Sequence, residues 1–128
     1  MRPIGPTSER NSRKNIRVSD VIKPIRVRPL ADIEMDAHAD YIARDNLGAA
    51  LRFLDAAQAA FDQISDHPSI GSRRYAYSPL LEDLRVWAVP DFENYLVFYL
   101  ERSDHVDVLR ILHAARDIPA ALRETSPS

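Results

Sequence analysis

The chain has 128 residues, of which 45% are hydrophobic and none is cysteine, and its formal net charge is −2. This length predicts a single domain, and the hydrophobic share excludes a chain that is disordered throughout. The lack of cysteine excludes disulfide bonds, thiolate metal sites and a cysteine nucleophile, while the near-neutral charge argues against a general nucleic-acid binder. The longest apolar run, Tyr95–Leu100, is far shorter than the roughly 18–20 residues of a membrane helix. With no recognisable secretory signal, we expect a cytoplasmic protein.

The first segment, residues 1–23, differs from the rest in charge and pattern. It has six basic residues against two acids, a net charge of +4, whereas residues 24–128 carry −6. Because the segment has no apolar periodicity, we predict a flexible tail, followed by a folded domain over residues 24–123 and a short C-terminal tail over residues 124–128. The basic tail could bind an anionic partner, or it could be a solvated tail or an over-extended gene start.

A strand and a helix open the predicted domain. Residues Ile25–Arg28 alternate apolar and basic side chains, which is typical of a strand, and Pro29 fits the first turn of a following helix. That helix is predicted over Leu30–Arg44, and its regularly spaced apolar residues are expected to form the buried face. These residues are Leu30, Ile33, Ala37, Tyr41 and Ile42.

A second helix is predicted over Leu47–Ser65. Asn46 is its predicted N-cap, and Pro68 lies just beyond its end. The link of about two residues between the helices requires them to run antiparallel. The predicted buried residues of the second helix are Ala50, Phe53, Leu54, Ala57, Phe61 and Ile64.

The remainder of the chain is predicted to form β-structure and one short helix. Arg73–Tyr77 could form a short strand ahead of three stronger ones, and tight turns between those three predict antiparallel pairing. A closing helix is predicted over Asp117–Arg123, with Asp117 as its N-cap. The three stronger strands are Leu84–Val89, Tyr95–Glu101 and Val106–His113.

Several short motifs occur in order along the domain. They are Arg26-Val27-Arg28-Pro29, Asp40-Tyr41-Ile42-Ala43, Asn46 with Ala49-Ala50 and Phe53, His67-Pro68 with Gly71, Leu84–Trp87, Tyr95–Tyr99 and Arg110–Asp117. With these motifs, the chain from Ile25 to Leu122 resembles the ParE branch of the RelE/ParE toxin superfamily. The resemblance fits an α+β fold, β-α-α-β-β-β(-β)-α, with a helical hairpin packed on a small antiparallel sheet.

The resemblance also implies a function. It points to the toxin of a type II toxin–antitoxin system that stabilises a plasmid or chromosome, binds and inhibits DNA gyrase, and forms a hetero-oligomer with a cognate ParD-like antitoxin. Relatives in the RelE branch cut mRNA on the ribosome, so a ribosome-dependent mRNA interferase is the alternative. A third possibility is a decayed toxin that only sequesters an antitoxin. The shared fold does not decide between them.

An RNA-cutting site would need groups that activate the 2′-hydroxyl, stabilise developing charge and protonate the leaving oxygen. The candidates are Arg85, Tyr99, Arg110, His113 and Arg116, of which Arg85, Arg110 and His113 would form the catalytic set. In a regular strand, Arg110 and His113 would point to opposite faces, because their numbers differ by three. His113 could equally be a structural histidine at a strand end, bonded to Asp117 or to a backbone carbonyl.

Charge favours a protein-binding mechanism over a nuclease. The helical hairpin from Leu30 to Asp66 has two arginines against eight acids, a net charge of −6. Such a surface repels phosphates, so direct nucleic-acid binding is not expected. No cofactor is expected either.

The histidines and paired carboxylates do not predict a metal site. His38, His67 and His105 lie in different predicted elements, without the spacing of metal ligands. Asp36 and Asp40, one turn apart, are expected to belong to a solvated acidic face.

Partner contacts are predicted on the helical hairpin and at a sheet edge, through helix-in-groove packing and strand addition. Arg73 and Arg74, beside Tyr75 and Tyr77, form a basic and aromatic cluster that could bind a protein or remain solvated. The predicted partner-binding residues are Tyr41, Phe53, Arg73, Arg74, Trp87 and Arg116.

Overall fold

The computed structural model describes residues 22–76 and 81–126. In these residues a short strand is followed by a helical hairpin, three further strands and a final helix, so the predicted α+β fold is confirmed. Most of the predicted N-terminal tail, as well as Tyr77, lies outside the described residues. The elements are β1 (Ile25–Val27), α1 (Pro29–Ala43), α2 (Leu47–Asp66), β2 (Arg85–Val89), β3 (Phe92–Glu101), β4 (Val106–His113) and α3 (Ile118–Arg123).

The four strands form one mixed sheet in the order β1-β4-β3-β2. Strands β2, β3 and β4 are antiparallel, as predicted, with Val97 opposite both Trp87 and Ile111. Strand β1 instead runs parallel to β4, with Ile25 opposite Val106. The sheet is therefore not wholly antiparallel. Parallel strands need a long crossover connection, and the helical hairpin that follows β1 is part of that connection.

Helix α2 matches its prediction closely. The side chain of Asn46 accepts a hydrogen bond from the Ala49 N–H, which confirms the predicted N-cap. Phe53, Phe61 and Ile64 are buried at the predicted helical spacing. Asp117 likewise caps α3 by accepting from the Ala120 N–H.

Helix α1 is different, because the prediction of its buried face is wrong. The helix buries Ala31 and Ala39 and turns the half-buried side chains of Glu34 and His38 towards β4. A helix presents only one face to a sheet, so the opposite apolar stripe is left in solvent. The large apolar residues that it exposes are Leu30, Ile33 and Tyr41.

The β2–β3 connection is tighter than predicted. Strand β3 begins at Phe92, inside the predicted turn of residues 90–94. Asp91 has a φ of 65° and follows Pro90, a combination typical of a type II turn. The Asp91 N–H donates to Glu93 Oε2 at 2.9 Å, which holds the turn.

Apolar side chains cover both faces of the sheet. On the face towards the helical hairpin, Val97 and Ile111 pack in one cluster with Ile64 of α2. On the opposite face, Phe98 belongs to a second cluster with Leu122 of α3. The two clusters bury both sides of β3 and β4, which agrees with the central position predicted for β3.

Tyr99 of β3 ties the loop after α2 to the sheet. Its hydroxyl donates to the Pro68 carbonyl at 2.7 Å and accepts from the Gly71 N–H at 2.9 Å. Burial raises the pKa of this phenol. A Cβ at Gly71 would lie 2.7 Å from Tyr99 Oη and 3.0 Å from Arg85 Cβ. The backbone therefore approaches too closely here for any side chain.

We expect Gly71→Ala to lower the free energy of unfolding by about 1–3 kcal/mol, because the added methyl displaces the Tyr99 hydroxyl. Gly48→Ala is the matched control, since its Cβ would meet only side-chain atoms of Asn46 and Arg52, at 3.3 and 3.4 Å. This control should change stability by less than about 1 kcal/mol. Urea denaturation measures both, and equal losses would contradict the account of Gly71.

Candidate functional site

The outer edge of β4 is completed by side chains of α1 rather than by a strand. Strand β1 pairs with β4 only as far as Val108. Beyond it, the Ile111 N–H donates to Glu34 Oε1 at 3.0 Å, and His38 Nε2 lies 2.8 Å from the Ile111 carbonyl oxygen. Because a carbonyl oxygen only accepts, His38 must donate from Nε2. Two side chains one turn apart thus bond both backbone groups of one residue.

Arg110 is buried at the centre of this junction. Its guanidinium donates to both carboxylate oxygens of Glu34, the closest at 2.7 Å, and to the Ala121 carbonyl and Thr125 Oγ1. Only 3% of the residue is exposed. Arg116 is half exposed, and its Nη1 atom lies 3.7 Å from Glu34 Oε2. Charged hydrogen bonds from Arg110 therefore join β4 to Glu34 of α1 and to Ala121 of α3, and Arg116 adds a longer ion pair.

His113 lies at the end of β4, opposite Tyr95. The two rings meet edge to face at 4.8 Å, and His113 Nδ1 accepts from the Ala115 N–H at 3.0 Å. Asp117, which was one predicted partner of His113, instead caps α3. Burial raises the pKa of Tyr95, and the neighbouring Tyr41 hydroxyl adds to that shift. A cleft of about 330 Å³ opens beside Tyr95 and His113, bordered by Glu93.

Arg85, the third residue of the predicted catalytic set, lies on β2. Its guanidinium donates to the carbonyl oxygens of Gly71, at 2.8 Å, and Ser69, at 3.2 Å. Strand β3 lies between β2 and β4, so a whole strand separates Arg85 from Arg110 and His113. A β-bulge at Phe98–Tyr99 also makes β4 irregular near Arg110. The three residues thus have three separate sets of partners.

The predicted basic cluster lies beside the outer edge of β2. Arg73 is exposed and donates to the Glu82 carbonyl, while the Arg74 guanidinium lies 5.2 Å from the centre of the Tyr75 ring. The predicted strand over Arg73–Tyr77 is not formed in its described part, residues 73–76, and the preceding Ser72 makes an isolated bridge with Val86.

Trp87, also on β2, is half-buried. Its indole N–H donates to Gln63 Oε1 at 2.8 Å. A cleft of about 270 Å³ between Arg74 and Trp87 leaves both side chains partly accessible.

Large apolar side chains are exposed on the helical hairpin. The exposed fractions are 64% for Ile33 and Tyr41, 66% for Leu47 and 58% for Leu51. Phe53, in contrast, is 0% exposed and packs against the half-buried rings of Phe92 and Tyr95. The prediction that Phe53 contacts a partner therefore does not fit this structure, because its side chain does not reach the surface.

The residues on this surface were only partly found from the sequence. Tyr41 was predicted as a partner contact, while Leu47 and Leu51 were not assigned to any surface. Leu47 and Leu51 are four residues apart, so they lie on the same side of α2, and this side differs from the one that buries Ala50 and Phe53. This spacing was the signal available in the sequence.

The amino-acid sequence of the chain matches a known family. A family described as the ParE toxin of the type II toxin–antitoxin system parDE matches residues 25–118, from β1 to the start of α3. The chain belongs to the ParE toxin family. As a ParE-family chain it is a type II toxin, and the family implies a cognate antitoxin. Among the curated proteins, none matches the chain.

Two further findings describe the ParE-family toxin within residues 22–76 and 81–126. No helix in these ranges is long and apolar enough to span a membrane. The same ranges contain no group of three or more histidine, aspartate or glutamate side chains placed to hold a metal ion.

Proposed function

We propose that this ParE-family toxin binds and inhibits DNA gyrase in the cytoplasm and is neutralised by a ParD-like antitoxin. One observation carries the proposal: the helical hairpin exposes large apolar side chains while carrying a net charge of −6. Large exposed apolar patches mark protein-binding surfaces, and acidic surfaces repel nucleic acid. A toxin that acts by binding a protein accounts for both features.

The alternative, a ribosome-dependent mRNA interferase, would use Arg85, Arg110 and His113. A catalytic arginine must reach the scissile phosphate, yet Arg110 is 3% exposed and directs its guanidinium at Glu34, Ala121 and Thr125. An arginine that satisfies a buried carboxylate has a sufficient structural reason for its place. These contacts support the binding mechanism over the nuclease.

The antitoxin is proposed to dock on the exposed apolar side chains of α1 and α2 as a helix. The outer edge of β2 offers a second contact, because among the described residues it pairs only through the single bridge of Val86 with Ser72. An extended antitoxin segment could add there, within reach of Arg74 and Trp87. Both contacts use surface present in the toxin alone.

Inducing the toxin in bacteria without antitoxin tests the proposal. We expect growth arrest with a DNA-damage response and gyrase-linked chromosome breaks, and we expect co-expressed antitoxin to prevent both. The measurements are capture of gyrase-bound DNA ends and sequencing of mRNA 5′ ends in the same culture. Rapid mRNA cleavage with intact chromosomes would contradict gyrase inhibition. Normal growth would instead indicate a decayed toxin that only sequesters an antitoxin.

A further inference from the structure

Helix α1 carries an apolar strip and a parallel acidic row. Successive residues of an α-helix turn by about 100°, so residues three or four apart lie on one side. By this spacing the acidic row lies between the strip and the side that packs on α2, while Glu34 and His38 face β4 on the far side. The apolar strip is Leu30, Ile33, Ala37 and Tyr41, and the acidic row is Asp32, Asp36 and Asp40, all exposed.

Leu47 and Leu51 of α2 form a second apolar strip, and the acidic row lies between this strip and the first one. The opposite side of α2 faces the β2–β3 turn, where Ala56 and Ala59 line a cleft with Phe92. Leu47 and Leu51 must therefore lie on the side of α2 towards α1. The outer face of the hairpin thus has an acidic row with apolar side chains on both sides.

Within the part of the chain that the structure describes, the acidic row is not paired with basic side chains. Among the described residues, Asp32, Asp36 and Asp40 have no hydrogen-bond or ion-pair partner for their carboxylates. The hairpin around them has only two arginines against eight acids. An acidic row next to apolar surface therefore favours a partner with matching basic groups.

We propose that this face binds an antitoxin helix with lysine or arginine along the centre of its contact surface, four residues apart, and apolar residues on both sides. The basic row would pair with Asp32, Asp36 and Asp40, while the apolar flanks would cover the two strips. Such pairing gives specificity, because an antitoxin with acidic residues in that row would be repelled. The inference rests on the proposed function, since it describes the antitoxin of that system.

Synthetic helical peptides test the charge pattern on the full-length toxin. The first peptide has lysine at three positions four residues apart with leucine on either side, and the second has glutamate at those three positions. We expect the lysine peptide to bind about ten-fold more tightly at low salt. The preference should shrink as salt screens the charges. Titration calorimetry measures both affinities.

Three variants separate the contribution of charge pairing to peptide binding from that of apolar contact. In the double variant Asp36→Asn with Asp40→Asn, the preference for lysine should fall to about two-fold. Asp55→Asn, an exposed acid on the outer side of α2, is the matched control and should leave the preference unchanged. Ile33→Ser should weaken the binding of both peptides, because it removes apolar contact without changing charge.

The outcomes that overturn the inference are distinct from failure of the proposed function. Equal binding of both peptides, or no effect of the Asp36 and Asp40 changes, would overturn the charge pattern while gyrase inhibition in cells remained intact. A peptide of residues 2–17 of this chain, which include several basic residues, serves as a competitor. If it binds the face as strongly as the lysine peptide does, the face would be reassigned to that segment. A dimer in light scattering, dispersed by Ile33→Ser, would reassign it to a second copy of the chain.

Discussion

We expect Glu34→Ala to lower the free energy of unfolding by about 3–5 kcal/mol, since removal of one partner from a buried ion pair leaves the other charge uncompensated. Glu34 accepts from the Arg110 guanidinium and from the Ile111 N–H. Its loss would leave a buried cation and an unpaired backbone donor at once. Both effects act at the junction of α1 and β4, so the helical hairpin should detach more readily from the sheet.

Urea denaturation followed by circular dichroism measures this loss. Asp36→Asn is the matched control, because Asp36 is exposed on the same helix, and it should change stability by less than about 0.5 kcal/mol. The double variant Glu34→Leu with Arg110→Met should be more stable than the sum of the single changes predicts, since neither charge is then left alone. A Glu34→Ala variant as stable as the control would contradict the structural role assigned to this ion pair.

Phe53→Ala is expected to cost about 3–5 kcal/mol, because it removes a fully buried aromatic side chain and leaves a cavity. The Phe53 ring meets Phe92 at 5.4 Å and Tyr95 at 4.9 Å between ring centres, in edge-to-face and tilted contacts. These contacts join α2 to the start of β3. The loss should therefore loosen the end of the sheet that contains the Tyr95 and His113 cleft.

Leu51→Ala, two residues earlier on the same helix, is the matched control for Phe53→Ala. Leu51 is mostly exposed, so its truncation should change stability by less than about 0.5 kcal/mol. Thermal unfolding of the two variants distinguishes a core residue from a surface residue. If Phe53→Ala unfolds at the wild-type temperature and only antitoxin binding is weakened, Phe53 is a partner contact, as the sequence had suggested.

Local signals in the sequence predicted much of the fold. The caps at Asn46 and Asp117 depend only on residues within one turn, so they could be identified without knowledge of the tertiary structure. The apolar stripe of α2 is regular, and it faces the sheet as its spacing predicts. The antiparallel order of β2, β3 and β4 follows from short turns between consecutive strands.

The orientation of α1 could not be predicted in this way. Its apolar residues form a regular stripe, and periodicity alone places that stripe inside. The structure places it outside because Glu34 and His38 bond the Ile111 backbone and the buried Arg110, all distant in sequence. The direction of β1 has the same kind of cause, since its pairing with β4 joins residues about 80 positions apart.

Only part of the candidate site could be predicted, because the partners of its residues are also not evident from the local sequence. Arginine and histidine are suited to both catalysis and structural pairing, and sequence alone does not say which partner each will meet. Arg110 meets Glu34 from α1, and His113 meets the Ala115 N–H. Tyr41, Arg73 and Arg74 are exposed, and their role as partner contacts stays a prediction.

Addition of the purified toxin to DNA gyrase tests the central claim most directly. Supercoiling of relaxed plasmid and gyrase-cleaved DNA are measured together, with translating ribosomes and mRNA assayed in parallel. We predict that the toxin inhibits supercoiling and traps gyrase-cleaved DNA, that the antitoxin prevents both effects, and that ribosome-bound mRNA stays intact. Unchanged gyrase activity together with cleaved mRNA would contradict the account.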